Sequence, residues 1–266
     1  MIYVNDILSI MNELYPESYS EEWDRSGLQI GDPNAPVKRI SIALESTQES
    51  VNEAIRQKAD VLLTHHPLFL TPLHCIDRCR FPGTIIFSAF IKSLHILSFH
   101  TQVDMAPNGL NDYVLKKLGE FSNIYPLILS VSPSVGSGRI ARFKKPVEIN
   151  EFKKRIESIF VHDILRFAIP ETVSEISTIA LCTGSGTSFT DSFLASEADI
   201  FLTGDVKYHT AVEVLQQKKG IIDIGHFGSE CFFVPMISEA LKVEFQKRKI
   251  DVSIGTFEGE KSPFLR

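Results

Sequence analysis

DVLLTHHPLF, Asp60 to Phe69, decides how this chain is read. Val61, Leu62 and Leu63 lead through the β-branched Thr64 into two adjacent histidines, and Pro67 follows at once. A short apolar run bounded this way predicts a buried strand. Within a strand, neighbouring side chains point to opposite faces, so His65 and His66 could not share a ligand there. Pro67 supplies no N–H and holds His66 in extended or turn backbone. The strand therefore stops, and the two imidazoles can diverge while still bordering one pocket.

Working outward, strands and helices alternate. On the N-terminal side lie a helix at Val4–Leu14, a strand in RISIALES from Arg39, and the helix TQESVNEAIRQK, with Ser46 and Thr47 as candidate caps. On the C-terminal side come the helix GTIIFSAFIKS, the strand ILSFHT and the helix GLNDYVLKKLG. Residues 125–175 read as antiparallel strands around the helix NEFKKRIESIF. The alternation then returns through ISTIALCTG, FTDSFLASE, ADIFLTG, HTAVEVLQQKK and IIDIGH, followed by one long helix from Ser229 to about Lys247 and the strand DVSIGTF. This rhythm predicts an α/β fold with parallel crossovers. SIAL leading to ADVLLTHH is echoed by TIAL leading to ADIFLTGD, which points to a duplication and to two linked α/β domains of related topology. The first domain is placed at 1–125 joined by 225–266, the second at 126–224.

Composition narrows the function. The chain has 266 residues, 44% hydrophobic and 23% charged, as in an ordinary globular protein. A net charge of −6 with no dense Lys/Arg run leaves no electrostatic footprint for nucleic acid. No apolar run reaches the roughly 18 residues of a membrane helix, and the acidic N-terminal stretch lacks the basic start of a secretory signal. Four cysteines give no disulfide framework, so a reduced, cytoplasmic protein is expected.

Ligands of open α/β sheets gather beyond the carboxyl ends of strands. Those ends here are THHP, FHTQVDMAPNGLND, TGDVKYH and IGHFGSE. Five of the eight histidines fall in these stretches, so the imidazoles concentrate where ligands do. His226 and Glu230 are four apart and share a helical face if a helix starts near Gly225. Asp104, four after His100, adds a hard oxygen. His65, His66, Asp104, His226 and Glu230 together offer three nitrogens and two carboxylates, which suits a dinuclear site for Zn, Mn, Fe, Co or Ni, two divalent ions per chain. Taken singly, each has a plainer role: Asp104 as a turn-former or cap, Glu230 as a solvated first-turn carboxylate. The case rests on the set.

The motifs EEWDRSGLQIGD, LLTHHPLF, HTQVDMAPNGLND, LTGDVKYHTA and DIGHFGSE occur in this order across almost the whole chain. In them the sequence resembles the Nif-three-like family, also called GTP cyclohydrolase I type 2 homologues. The resemblance implies two linked α/β domains, a dinuclear metal site ligated by His65, His66, Asp104, His226 and Glu230 with Glu230 bridging, and a homohexamer built as a trimer of dimers. It makes His100 an acid–base residue beside the site, and Asp205 and His209 further pocket residues. One departure is Glu45, where the family usually has Asp.

Other motifs carry less. CTGSGTSF, Cys182 to Phe189, reads as a tight strand-to-helix turn before a phosphate cradle. HCIDRC offers three close donors without a second pair. Trp23 is expected as a core or interface anchor, and Glu157 and His162 as solvent-facing residues. The expected function is a metal-dependent hydrolase in which His100 and His209 move protons, acting on GTP or another small-molecule nucleotide; a phosphoesterase would use the same ligands. The alternative is a non-catalytic metal-binding or partner-binding scaffold.

Overall fold

A computed structural model describes residues 1–264. The chain forms two compact units: Met1–Val103 with Phe233–Glu260, and Asp104–Phe232 with the residues from Lys261 on. The sequence places the breaks at 125/126 and 224/225; the structure places them at 103/104 and 232/233. For the first break the reason lies in strand pairing, since Phe121–Tyr125 joins the sheet of the second unit, and a further division falls at 260/261.

In the first unit, β15 (Ser253–Thr256), β4 (Arg39–Ile42), β5 (Val61–Thr64) and β6 (His95–Ser98) run parallel, and β2 (Gly27–Ile30) closes the sheet antiparallel to β6. A short ribbon pairs β1 (Ile2–Tyr3) with β3 (Pro36–Val37). Every residue of β5 is buried, which accounts for its unbroken apolar run. Helices α1 (Val4–Leu14), α2 (Gln48–Arg56), α3 (Gly83–Ile91) and α10 (Phe233–Arg248) belong to this unit. Thr47 caps α2 by accepting the Ser50 N–H. Val51, Ala54, Leu62, Ile85, Ala89 and Ile96 form the core between sheet and helices.

The second unit orders its sheet as β11 (Arg166–Ala168), β14 (Gly220–Asp223), β13 (Ile200–Thr203), β12 (Glu175–Leu181), β10 (Arg139–Glu148) and β7 (Phe121–Tyr125). Only β12, β13 and β14 are parallel to one another; the flanking strands are antiparallel, as the middle of the sequence predicts. β8 (Ile128–Ser132) and β9 (Val135–Ser137) make a separate hairpin. Helices α5 (Leu110–Leu118), α6 (Ile149–Ile159), α7 (Thr190–Ala195), α8 (Tyr208–Gln216) and α9 (His226–Glu230) complete it, and the unit boundary cuts α4 (Thr101–Met105). Phe193, Phe201, Val214 and Ile221 lead its core.

The two units repeat one design. In the first, Asp60 accepts the N–H groups of Lys38 and Arg39, and Ala43 N–H reaches Leu63 O. In the second, Asp199 accepts from Ser177 and Thr178, and Cys182 N–H reaches Leu202 O. These bonds align Arg39 with Thr178, so Ser41 matches Ala180. The match of SIAL with TIAL is therefore displaced by two residues; a slip of two keeps every side chain on its face and hides in a strand's period. Each repeat ends its third strand in a five-residue helix, α4 and α9. The helix that follows is exchanged: α5 follows the first repeat but belongs to the second unit, and α10 follows the second repeat but belongs to the first.

The single long helix expected from Ser229 is instead α9 and α10, separated at Cys231 and Phe232. Pro235 is the cause. It has no N–H for the carbonyl four residues back and is tolerated only in a first turn, so a new helix starts at Phe233.

Candidate metal centre

His65, His66 and His100 stand at the ends of β5 and β6 in the first unit. Their rings pack with centroids 4.8 to 5.1 Å apart. Each offers one ring nitrogen, and these three atoms lie within 4.8 Å of one another. Leaving the strand is what allows neighbouring histidines to meet. Leu44 O accepts both the His65 and the His66 N–H, at 3.1 and 3.3 Å, so the backbone curls around one carbonyl.

All three rings are held by Nδ1. His65 Nδ1 donates to Phe99 O at 3.0 Å, His66 Nδ1 to Glu45 Oε1 at 2.7 Å and His100 Nδ1 to Asp24 Oδ1 at 3.1 Å. A carbonyl or carboxylate only accepts, so each Nδ1 carries a proton, and in the neutral ring the lone pair is then on Nε2. The donor chemistry fits a divalent ion: metal-ligating imidazoles are commonly fixed in this way through the other ring nitrogen.

Asp24 is the hub of this arrangement. Its carboxylate also accepts the N–H groups of Arg25 and Thr101 and the hydroxyls of Ser26 and Thr101. Burial opposes its charge, but the hydrogen bonds from His100, Thr101 and the Arg25 N–H outweigh it and hold the carboxyl far below the usual range. Because the folded value lies below the unfolded 3.8, the stability Asp24 contributes is complete above about pH 5 and drains as pH falls through and below 3.8. Asp24→Asn is expected to cost on the order of 3 kcal/mol at pH 7, from lost charge-assisted bonds and donors left facing donors. In urea melts the gap between wild type and variant should shrink steadily from pH 5 to pH 2.5. A gap that stays constant over that range contradicts this assignment.

In the second unit, α9 begins at His226, close to where the sequence puts it, and the four-residue spacing brings His226 Nε2 within 3.0 Å of Glu230 Oε2. His226 Nδ1 lies 2.8 Å from Asp205 Oδ2, so its Nδ1 is anchored like those of the other three while its Nε2 faces the Glu230 carboxylate. Glu230 is 4% exposed. Asp104 lies in α4, with its backbone carbonyl accepting the Asn111 side chain. The Cys182 thiol is pushed up by burial first, then by the Asp104 and Glu230 carboxylates. Gly184 leaves room for this group: a Cβ there would stand 2.1 Å from Glu230 Oε1 and 3.4 Å from His226 Nε2, and its φ of +67° is one that glycine tolerates best. That cradle, with the imidazole–carboxylate pair, also fits a divalent cation.

His209 is exposed in the first turn of α8 and contacts Tyr208. CTGSGTSF is a turn whose amides are already engaged: Thr183 N–H by Asn111, Gly184 N–H by Ser229 and Gly186 N–H by Thr203. His74, Cys75 and Cys79 form no three-donor group among the described residues. Glu157 and His162 face solvent. Trp23 departs from the core placement: it is 52% exposed, with its ring edge-on to His100. Sequence reasoning gave no role to Asp24 and none beyond pocket-lining to Asp205, and treated Glu45 only as a departure. All three are carboxylates in loops beside strand ends, and that position was the available signal.

Repeated parallel-stranded units ending on imidazoles and carboxylates define a two-domain α/β protein whose His and Glu groups could hold a metal ion. The chain belongs to the Duf34/NIF3 family (NGG1p interacting factor 3), matched over residues 2–263. It is 31% identical over 261 residues to a Clostridium perfringens protein named GTP cyclohydrolase 1 type 2 homolog, covering 98% of both chains. A Streptococcus pneumoniae protein of the same name is 29% identical over 263 residues, again with 98% of each covered. The crystal structure of a Bacillus cereus protein related to NIF3 superposes with a TM-score of 0.91 at 21% identity, covering 100% of this chain and 99% of that one, which shows the shared fold. No helix among the described residues is long and apolar enough to cross a membrane.

Proposed function

We propose that the protein holds two divalent cations through His65, His66, Asp104, His226 and Glu230, and that it is a hydrolase acting on GTP or another nucleotide. The observation that supports the metal reading is that His65, His66 and His226 each hold Nδ1 against an oxygen acceptor, the anchoring that commonly orients a metal-ligating imidazole. The substrate class rests on the name carried by the relatives.

Two bound divalent ions, drawn from Zn, Mn, Fe, Co or Ni, would supply Lewis acidity and a water activated near neutral pH. The chain's own residues do the rest. Asp24 fixes the His100 proton at Nδ1, so His100 accepts and returns a proton at Nε2. His226 and Gly184 set the position of the Glu230 carboxylate. His209, exposed on α8, is the second proton carrier in this scheme.

Protein purified without chelators should contain about two divalent ions per chain. Glu230→Gln should lower metal content far more than His209→Gln; equal retention in both variants would mean the ligand set is wrong. A screen of the metal-loaded protein against nucleotides, phosphoesters and cyclic amides, with Glu230→Gln as control, decides whether it is a hydrolase. Full metal content with no turnover would leave the metal-binding scaffold. Self-association as a hexamer is proposed on the family resemblance, and the solvent-facing Phe87, Phe90 and Ile91 of α3 support it; light scattering reads it directly.

A further inference from the structure

Beyond Ile42, strand β4 still has amides to satisfy. Ala43 N–H reaches Leu63 O at 3.0 Å, but the next two amides are met by a side chain from the far end of the chain. Glu260 Oε2 accepts the Leu44 N–H at 2.7 Å and Oε1 accepts the Glu45 N–H at 2.8 Å. One carboxylate thus grips two successive peptides. Phe257 N–H bonds to Ile42 O at 2.8 Å, so the backbone leading to Glu260 is tied to β4 independently of the Phe257 side chain.

The gripped peptides are the ones that place His65 and His66. Leu44 O accepts the N–H groups of both histidines, and the Glu45 side chain holds His66 Nδ1 at 2.7 Å. Ser50 Oγ donates to Glu45 O at 2.6 Å and fixes the other side of the residue. Every link from Glu260 to the His66 ring is a hydrogen bond of 3.3 Å or less within the first unit.

We infer that Glu260 is a positioning residue for the His66 imidazole: it locks the Leu44–Glu45 peptides, and through Glu45 it sets the His66 ring and its Nδ1–H tautomer. This deepens the proposed metal centre and rests on it for its consequence, a geometry of His66 ready for a cation. It adds the C-terminal segment to the machinery of the site. Glutamine at 260 keeps the size of the side chain, but its amide turns a donor toward one of the two N–H groups.

The test compares Glu260→Gln, Glu45→Gln and the double variant in the full-length protein, with Phe257→Ala as a variant that removes core packing while keeping the backbone bond from residue 257 to Ile42 O. The first readout is Zn2+ affinity by chelator competition. Glu260→Gln is expected to weaken binding by about 10- to 100-fold, as loss of a partner behind a ligand does. In the Glu45→Gln background the same change should add little, because it acts through Glu45. Phe257→Ala should lower thermal stability yet leave Zn2+ affinity within about twofold. The second readout needs no metal: histidine ring 1H–15N correlation spectra of the metal-free protein should show His66 as the Nδ1–H tautomer in wild type, with that signature lost in Glu260→Gln and Glu45→Gln and kept in Phe257→Ala. If wild type binds no Zn2+, the metal reading fails, and the tautomer spectra still decide the role of Glu260. An unchanged His66 signature in Glu260→Gln, or simple additivity of the two glutamine changes on affinity, overturns the inference.

Discussion

Arg139→Ala is expected to destabilise the protein by about 3–5 kcal/mol, the range for breaking a buried ion pair from one side. Arg139 is 2% exposed. Its Nε meets Asp112 Oδ1 at 2.6 Å, and its terminal nitrogens donate to the carbonyls of Gly136, Gly138, Met105 and Ala106. Alanine removes one donor from a carboxylate and from each of four carbonyls; Asp112 Oδ2 keeps the Asn108 N–H, Ala106 O the Gly109 N–H and Gly138 O the Leu127 N–H, and any buried acceptor left unmet carries a desolvation penalty. Lysine should recover only part, since it brings three donors on a point charge in place of a planar fork of five. Met105 and Ala106 directly follow Asp104, so the variant should also loosen that residue. Urea melts of wild type, Arg139→Ala and Arg139→Lys measure the effect; a loss below about 1 kcal/mol for alanine would show that the buried network is not what holds this segment.

Gly184→Ala has the second large effect, on the site itself. Two costs add. A left-handed φ of +67° costs a non-glycine residue about 1–2 kcal/mol. The new methyl would also crowd Glu230 Oε1 and stand 3.0 Å from Glu230 Cδ, closer than atoms pack, so the carboxylate must shift from the position that puts its Oε2 3.0 Å from His226 Nε2. Gly27→Ala separates the terms: Gly27 has a φ of +99° with nothing within 4 Å of the added carbon, so it bears the backbone cost alone. Divalent-ion affinity should fall at least about tenfold in Gly184→Ala, by analogy with displaced partners of metal ligands, and stay near wild type in Gly27→Ala. Parallel behaviour of the two variants would remove Glu230 from the cradle described above.

Much of the candidate site was legible because strand ends can be read. The apolar run before His65 and His66, and Pro67 behind them, announced where β5 stops. The spacing of His226 and Glu230 announced one helical face. The partners of those residues were not legible. Asp24 reaches His100 across 76 positions, and Glu260 reaches Leu44 across 216. No local propensity reports such a bond. The break between α9 and α10 could have been read from Pro235, but the apolar period continues through it and masks the stop.

By itself the sequence determined the α/β class, the duplicated strand pattern and the donor types at each strand end, since these follow from local periodicity and backbone chemistry. Only the tertiary structure decided the true register of the repeat, which helix belongs to which unit, and which oxygen fixes each imidazole. A slip of two residues leaves a strand's pattern unchanged, and a hydrogen bond between distant residues is set by how the chain packs, which no window of neighbouring residues encodes.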